Sequence, residues 1–275
     1  MSEEIKTSKN DHQIRTVGII GTGQIGTTLA RLSVRAGIYV VLSNTRGPES
    51  LKSLVAELGP LAKAGSISEA IGAADIIVAT IPLPNYRSLP ADKLSGKIVI
   101  DTMNYYPIGY NIEELDNNKF TSSELVQQHL IGSEVVKAFN NIPYPHIALH
   151  ARPKNDPGRT TIPIAGDDEA AKAAVEQFTN KIGYDTVDAG TLAESWRFEP
   201  MTPIYYWPYA PVVPEGSNDA DARRIYQTTF VDPLRPTAAQ QLLKETERKT
   251  PVGGRLDILP PIHLKLYEEF TQGRY

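Results

Sequence analysis

The 275-residue chain contains no cysteine. That excludes a disulfide framework, a thiolate metal site and a cysteine nucleophile. It also lacks any apolar run approaching the roughly 18 residues a membrane-spanning helix needs. Residues Met1 to Arg15 are polar, without the apolar centre of a signal peptide, and read as a mobile tail; the expected localisation is cytoplasmic. Charge of one sign is not concentrated either: 28 Lys and Arg stand against 32 Asp and Glu, a formal charge of −4. A mildly acidic surface without basic blocks makes nucleic acid and anionic membrane poor partners. Histidine is scarce, at five residues. His146 and His150 have i,i+4 spacing, but Pro145 gives them a loop-like context and no third ligand is apparent, so no metal site is expected.

What is present is alternation. Thr16 to Ile20 is a short β-rich apolar run, and Gly21-Thr22-Gly23-Gln24-Ile25-Gly26 follows at once. Thr27 to Ala36 reads as a helix stopped by Gly37, and Tyr39 to Leu42 as a second buried strand. This is one βαβ unit. Helical stretches follow at 49–61, 66–73 and 121–130, with further strands at 75–81, 97–101 and 134–139. Buried strands alternating with helices predict a doubly wound parallel sheet covered on both faces, over residues 16–150.

A smaller α/β region, 151–209, follows a charged, Pro- and Gly-containing linker. It holds strands at 161–165 and 185–188 and a helix from Asp167, the expected N-cap, to Lys181, with Gly183 as its stop. Leu192 to Met201 reads as helix, continuing toward Tyr209 or breaking at Pro203. Residues 210–275 form a Pro-rich extension with one clear helix, capped by Thr237 and running to about Lys249. A last amphipathic stretch places Ile262, Leu266 and Phe270 on one face. The extension is expected to be an arm, a lid or an interface.

The glycine turn has the context a dinucleotide site requires, after a strand and opening a helix. Gly21 allows the tight turn, Gly23 lets backbone approach a pyrophosphate, and Gly26 lets helix and strand pack closely. The helix N-terminus then offers free N–H groups to phosphate. An NAD site usually carries Asp or Glu at the end of the second strand. Here that place holds Ser43-Asn44-Thr45-Arg46-Gly47, with no carboxylate before Glu49. Hydroxyls, an amide and a guanidinium suit a dianionic 2′-phosphate, so the expected cofactor is NADP(H). In open parallel sheets, ligands bind beyond the carboxyl ends of strands. Thr80 to Pro84, Thr102 to Tyr106 and Asn140 to Pro143 are such ends. Tyr105, Tyr106, Tyr205, Tyr206, Trp207 and Tyr209 could wall a slot for two stacked rings.

These motifs, with DIIVATIP at 75–82, KIVIDTMNYY at 97–106, VKAFNNIP at 136–143, IPIAGDD at 162–168, Asp188-Ala189-Gly190 and Glu199 to Pro203, resemble the NADPH-dependent F420 reductase family over roughly residues 16–209. The cytoplasmic domain of the STEAP ferric reductases is similar. The resemblance implies a Rossmann-type fold, NADP(H) as cofactor, F420 or a flavin as a co-substrate, and a homodimer. It implies that Thr22, Gln24 and Ile25 hold the pyrophosphate and that Thr45 and Arg46 meet the 2′-phosphate. Ile81 and Pro82 would lie along the cofactor, with Thr80 and Asn104 nearby, and Ala138 near the nicotinamide. Phe139, Asn140, Asn141, Ile142 and Pro143 would cradle the acceptor, and Met201 to Tyr206, including Tyr205, would cover its second ring. Archaeal members often carry His where this chain has Asn140, which leaves the acceptor open.

Two rivals remain at this stage. A reductase of a small carbonyl or imine would need a proton donor, for which a tyrosine of the aromatic set is the candidate. An NADPH-binding sensor or scaffold would need none.

Overall fold

The computed structural model describes residues 14–248, 253–255 and 261–271. Most of the expected tail, residues 1–13, lies outside them. Ile14 is buried, and the Arg15 and Thr16 backbone N–H groups both donate to the Asp75 carboxylate at 2.9 Å.

In chain order the elements are β1 (Thr16–Ile20), α1 (Gln24–Arg35), β2 (Tyr39–Ser43), α2 (Lys52–Leu58), β3 (Ala62–Ala64), α3 (Ile67–Ala73), β4 (Ile76–Ala79), α4 (Ala91–Leu94), β5 (Ile98–Asp101), α5 (Glu113–Asp116), α6 (Ser122–His129) and β6 (Glu134–Lys137). Then come α7 (Tyr144–His150), β7 (Thr161–Gly166), α8 (Glu169–Ile182), β8 (Asp185–Asp188), α9 (Asp219–Thr228), α10 (Pro236–Glu245) and α11 (Pro261–Thr271). The sheet order is β3-β2-β1-β4-β5-β6-β7-β8. β1 to β6 run parallel; β7 joins β6 antiparallel and β8 joins β7 parallel. The strands of the 151–209 region thus extend the first sheet rather than forming a separate one.

Covering both faces explains the continuous apolar strands. Val17, Ile19, Val40 and Ile76 pack on one side with Leu29, Leu32 and Phe178. Ile77, Val99 and Val135 alternate to the other side, with Ile71, Leu94, Leu125 and Val126. Burying each such side chain contributes about 1.5–3 kcal/mol.

Several elements depart from expectation, each for a local reason. β3 was not foreseen: it is three residues of Ala-Lys-Ala, paired with β2 at the sheet edge, with Ala62 buried in the core. The expected helix 49–61 breaks into a 3-10 turn, α2 and a second 3-10 turn, because Gly59 at φ +76° and Pro60 end it. α8 is capped by Asp168, which accepts from the Ala171 N–H at 2.7 Å. Asp167 instead accepts from the Leu192 N–H at 2.9 Å. Leu192–Phe198 is 3-10 rather than α, and Pro200 and Pro203 prevent its continuation. β6 stops at Lys137, since Phe139 turns to φ +58°. α7 is helical, because a proline in the first turn forfeits no intrahelical bond. α9 was missed, although Asn218 caps it by accepting from the Asp221 N–H at 3.0 Å. α10 begins at Pro236, after Arg235, so Thr237 lies inside it and is not the cap; Lys249 lies outside the described residues. In α11, Leu266 is buried and Ile262 half-buried, while the Phe270 side chain is outside those described.

Candidate active site

The β1–α1 turn lies where the sheet order reverses, between β1 and β4. Gly21 has φ +101°, and a Cβ there would sit 2.3 Å from the Thr80 carbonyl oxygen. A Cβ on Gly26 would fall 2.1 Å from the Gly21 carbonyl oxygen and 2.6 Å from Thr80 Oγ1. Thr80 locks the turn by donating from Oγ1 to that same Gly21 carbonyl at 2.6 Å. Gly23 differs: a Cβ there would meet nothing within 4 Å. It is the N-cap of α1, it makes no side-chain cap, and the first turn carries no acidic residue. The first turn of α1, at Gln24 and Ile25, therefore faces open space beside Gly23, which fits a pyrophosphate.

The loop after β2 is built around Asn44. Its Nδ2 donates to Thr22 Oγ1 and to Ser50 Oγ, both at 3.0 Å, and its Oδ1 accepts from the Arg46 N–H at 2.9 Å. Asn44 thus ties the two loops together, and Ser50, which the sequence reading did not single out, completes the tie. Thr45 and Arg46 are exposed. Ser43 is buried, and its hydroxyl donates to the Ile19 carbonyl at 3.1 Å, turned into the sheet.

A cavity of about 760 Å³ runs from this turn over the ends of β4, β5 and β6. Gly23, Gln24 and Ile25 line one end, with Thr80, Ile81, Pro82 and Asn104; Asn140 to Pro143, Met201 and Tyr205 line the other. Gly21, Thr22 and Gly26 support the turn without lining the cavity. Ala138 and Phe139 are fully buried away from it, and the Phe139 ring packs edge-on against Tyr184 at 5.7 Å. Phe139, expected in the segment that cradles an acceptor, turns its side chain into the core and contributes a backbone bend beside the cavity. Phe139, Met201 (φ +78°) and Tyr206 (φ +69°) are non-glycine residues in the left-handed region, all beside the cavity. Such conformations cost on the order of 1–3 kcal/mol each and concentrate at functional sites.

Of the six aromatics expected to wall a slot, Tyr106, Tyr205, Tyr206 and Trp207 do line the cavity. Tyr105 and Tyr209 do not. The Tyr105 hydroxyl donates to Asp116 at 2.7 Å, and burial followed by that carboxylate pushes its pKa up to about 12. Tyr209 is fully buried, donates to the Thr161 carbonyl at 2.9 Å, and is also pushed up by burial. Tyr144 from α7 and Tyr226 from α9 complete the wall, with Glu245, Glu247 and Arg255 from the extension. The cap signal Asn218-Asp219-Ala220-Asp221 was the one sequence clue to the helix that carries Tyr226.

Hydrogen bonds join the walls. Asn104 Nδ2 donates to the Asn140 carbonyl at 2.7 Å and to the Tyr205 hydroxyl at 3.3 Å. Asn140 Nδ2 donates to Asn104 Oδ1 and to the Phe198 carbonyl, both at 3.0 Å. Asn141 Nδ2 donates to the Ile204 carbonyl at 3.1 Å and to the Tyr209 hydroxyl at 2.9 Å. The Tyr106 and Tyr205 hydroxyls are in direct contact.

A glycine turn at the reversal of a parallel sheet, opening on a cavity at the strand ends, defines a dinucleotide-binding α/β protein. Residues 16–105 match the family model described as NADP oxidoreductase coenzyme F420-dependent. Metalloreductase STEAP3 of Rattus norvegicus is 30% identical over 185 residues, 66% of this chain and 35% of that protein. The chain thus spans about a third of that relative's length. The crystal structure of hypothetical protein SMa0349 from Sinorhizobium meliloti shares 29% identity at a TM-score of 0.62, covering 70% of this chain and 93% of that one. A protein from Arthrobacter sp. FB24 assigned as an F420-dependent NADP reductase has the same fold, at 22% identity and a TM-score of 0.57, covering 66% of this chain and 87% of that one. No helix among the described residues is long and apolar enough to cross a membrane.

Proposed function

We propose that the chain is an NADPH-dependent oxidoreductase that moves hydride between NADP(H) and a planar small-molecule acceptor such as F420 or a flavin. The observation that carries this reading is continuity: a single cavity joins the open N-terminus of α1 to walls of Asn, Pro, Met and Tyr. When bound, the dinucleotide supplies hydride from its nicotinamide. The chain's own work is binding, orientation and exclusion of water. The N–H groups of Gln24 and Ile25 hold the pyrophosphate. Thr45 and Arg46, on the loop braced by Asn44, hold the 2′-phosphate. Ile81, Pro82, Ile142 and Pro143 present apolar surface to flat rings, and the tyrosines close the far wall. No nucleophile is required.

The test is loss of NADPH absorbance with F420, FMN, FAD and a panel of carbonyls and imines offered separately. Rapid oxidation by F420 or a flavin supports the reading. Tight NADPH binding with no oxidation by any of them overturns it in favour of a sensor.

One observation favours a second reading. The Tyr106–Tyr205 hydroxyl contact, with Asn104 donating to Tyr205, is a polar cluster in the cavity wall. Such a pair could deliver the proton that carbonyl or imine reduction needs. Turnover confined to the carbonyl and imine panel, and lost in Tyr205→Phe with NADPH binding intact, would establish it.

A further inference from the structure

Beneath the cavity lies a polar cluster to which the proposed function assigns no part. Lys137, the last residue of β6, is fully buried. Its ammonium has three protons. They go to the Met103 carbonyl at 3.0 Å, Ser122 Oγ at 2.8 Å and Ser123 Oγ at 3.1 Å. Each serine passes the contact on: Ser122 donates to Glu199 Oε1 and Ser123 to Asp101 Oδ2, both at 2.6 Å. The ammonium itself lies 3.3 Å from Glu199 and 3.8 Å from Asp101. Asp101 Oδ1 accepts from the Met103 N–H at 2.8 Å. Asp101, Ser122 and Ser123 are buried, and Glu199 nearly so.

Placement gives the cluster its meaning. Asp101 ends β5 and leads into Thr102, Met103 and Asn104, which line the cavity. Lys137 ends β6 and leads toward Asn140. Glu199 immediately precedes Pro200 to Pro203, which line the opposite wall. Ser122 and Ser123 open α6. One ammonium therefore joins four chain segments that converge under the site. Charges buried this way are weak contributors to stability, because desolvation offsets their attraction and an apolar set of similar volume often serves as well. Their directional bonds, however, permit a single arrangement of the segments.

We propose that Lys137 is a positioning residue, holding the Met103–Asn104 wall at a set distance from the Pro200–Met201 wall. This rests on reading the cavity as the place of hydride transfer, a step that depends steeply on the separation of the two rings.

The test compares wild type with Lys137→Met/Asp101→Asn/Glu199→Gln, which removes all three charges and strands none. The expected variant unfolds cooperatively and binds NADPH within threefold of wild type. The emission of its bound NADPH shifts, and kcat with FMN falls at least tenfold while KM for NADPH holds. A folded variant with wild-type emission of bound NADPH and wild-type kcat overturns the proposal. Should the triple variant fail to fold, Glu199→Gln alone serves. It keeps the length of the side chain and its bond from Ser122, and weakens only the tie to residues 200–206. It is then expected to speed amide exchange there at least tenfold, with 102–106 unchanged, and to shift the emission of bound NADPH. Unchanged exchange and emission overturn the proposal. A wild-type chain that binds no NADPH sinks the proposed function instead, and exchange in the two walls still decides this inference.

Discussion

His263 Nδ1 lies 2.8 Å from the Tyr206 hydroxyl, which joins helix α11 of the extension to the cavity wall. Tyr206 donates to the Tyr226 hydroxyl of α9 at 3.1 Å, and the His263 ring meets each tyrosine ring edge-on. The extension is thus built into the site. His263→Phe keeps the ring and removes the bond, leaving a buried hydroxyl one partner short. The expected loss is about 1–2 kcal/mol in urea unfolding. A midpoint unchanged from wild type would mean that α11 docks by packing alone.

Two glycines of the turn should separate packing from binding. Alanine at Gly26 would drive its Cβ into backbone of the Gly21 turn, so Gly26→Ala should destabilise the protein by about 1–3 kcal/mol. Alanine at Gly23 meets no protein atom, so Gly23→Ala should cost only about 0.5–1 kcal/mol in stability, the difference between glycine and alanine as an N-cap. Its methyl group nevertheless stands where a pyrophosphate would approach, and NADPH affinity should fall at least tenfold by fluorescence titration. Normal affinity in Gly23→Ala would place the dinucleotide elsewhere.

Arg46→Ala should weaken NADPH by roughly 1.5–3 kcal/mol, the worth of a charge-assisted hydrogen bond, and leave NADH nearly untouched. Calorimetric titration with both nucleotides checks it. An unchanged preference between them would falsify the assignment of the 2′-phosphate to this loop.

Stability should fall in mild acid. Burial pushes the His146 imidazole down to about 4, with a smaller effect of His150, and burial lowers His150 and His263 as well. The unfolded chain, with histidines near 6.5, takes up protons first. Unfolding is therefore favoured as pH drops through that value, and the effect of His146 levels off below about 4. Between about pH 7.5 and about pH 5, His146 alone should account for about 2 kcal/mol. Urea midpoints at both pH values should show a smaller difference in His146→Gln than in wild type. An equal difference would assign the acid sensitivity to other groups.

The expectation of no metal site at His146 and His150 rested on the lack of a third ligand and on a loop-like context; the segment is in fact helix α7. Their rings stack at 5.7 Å, and each Nε2 is engaged by a backbone carbonyl, of Tyr226 at 2.7 Å and Tyr209 at 3.0 Å. Helical spacing was visible in the sequence. What it could not show is that α9 and the Tyr209 segment come to cover them.

The parallel strands, the glycine turn and the missing carboxylate after β2 were legible because each is a local signal. Apolar runs must be buried on both faces. A turn against Thr80 tolerates no Cβ at Gly21 or Gly26. A side chain either is or is not an acid. The short β3, the left-handed bends at Phe139, Met201 and Tyr206, and the helix α9 carry weak local signals or none, since neighbours impose them. The same holds for the site. Asn104 meets Asn140 and Tyr205, Lys137 meets Ser122 and Glu199, and Tyr206 meets His263, across separations of 36 and 101, 15 and 62, and 57 residues. The sequence by itself determined where a dinucleotide could enter. Only tertiary packing decided which side chains line the cavity beside that turn, because hydrogen bonds and ring contacts between distant segments exist once the sheet has brought their ends together.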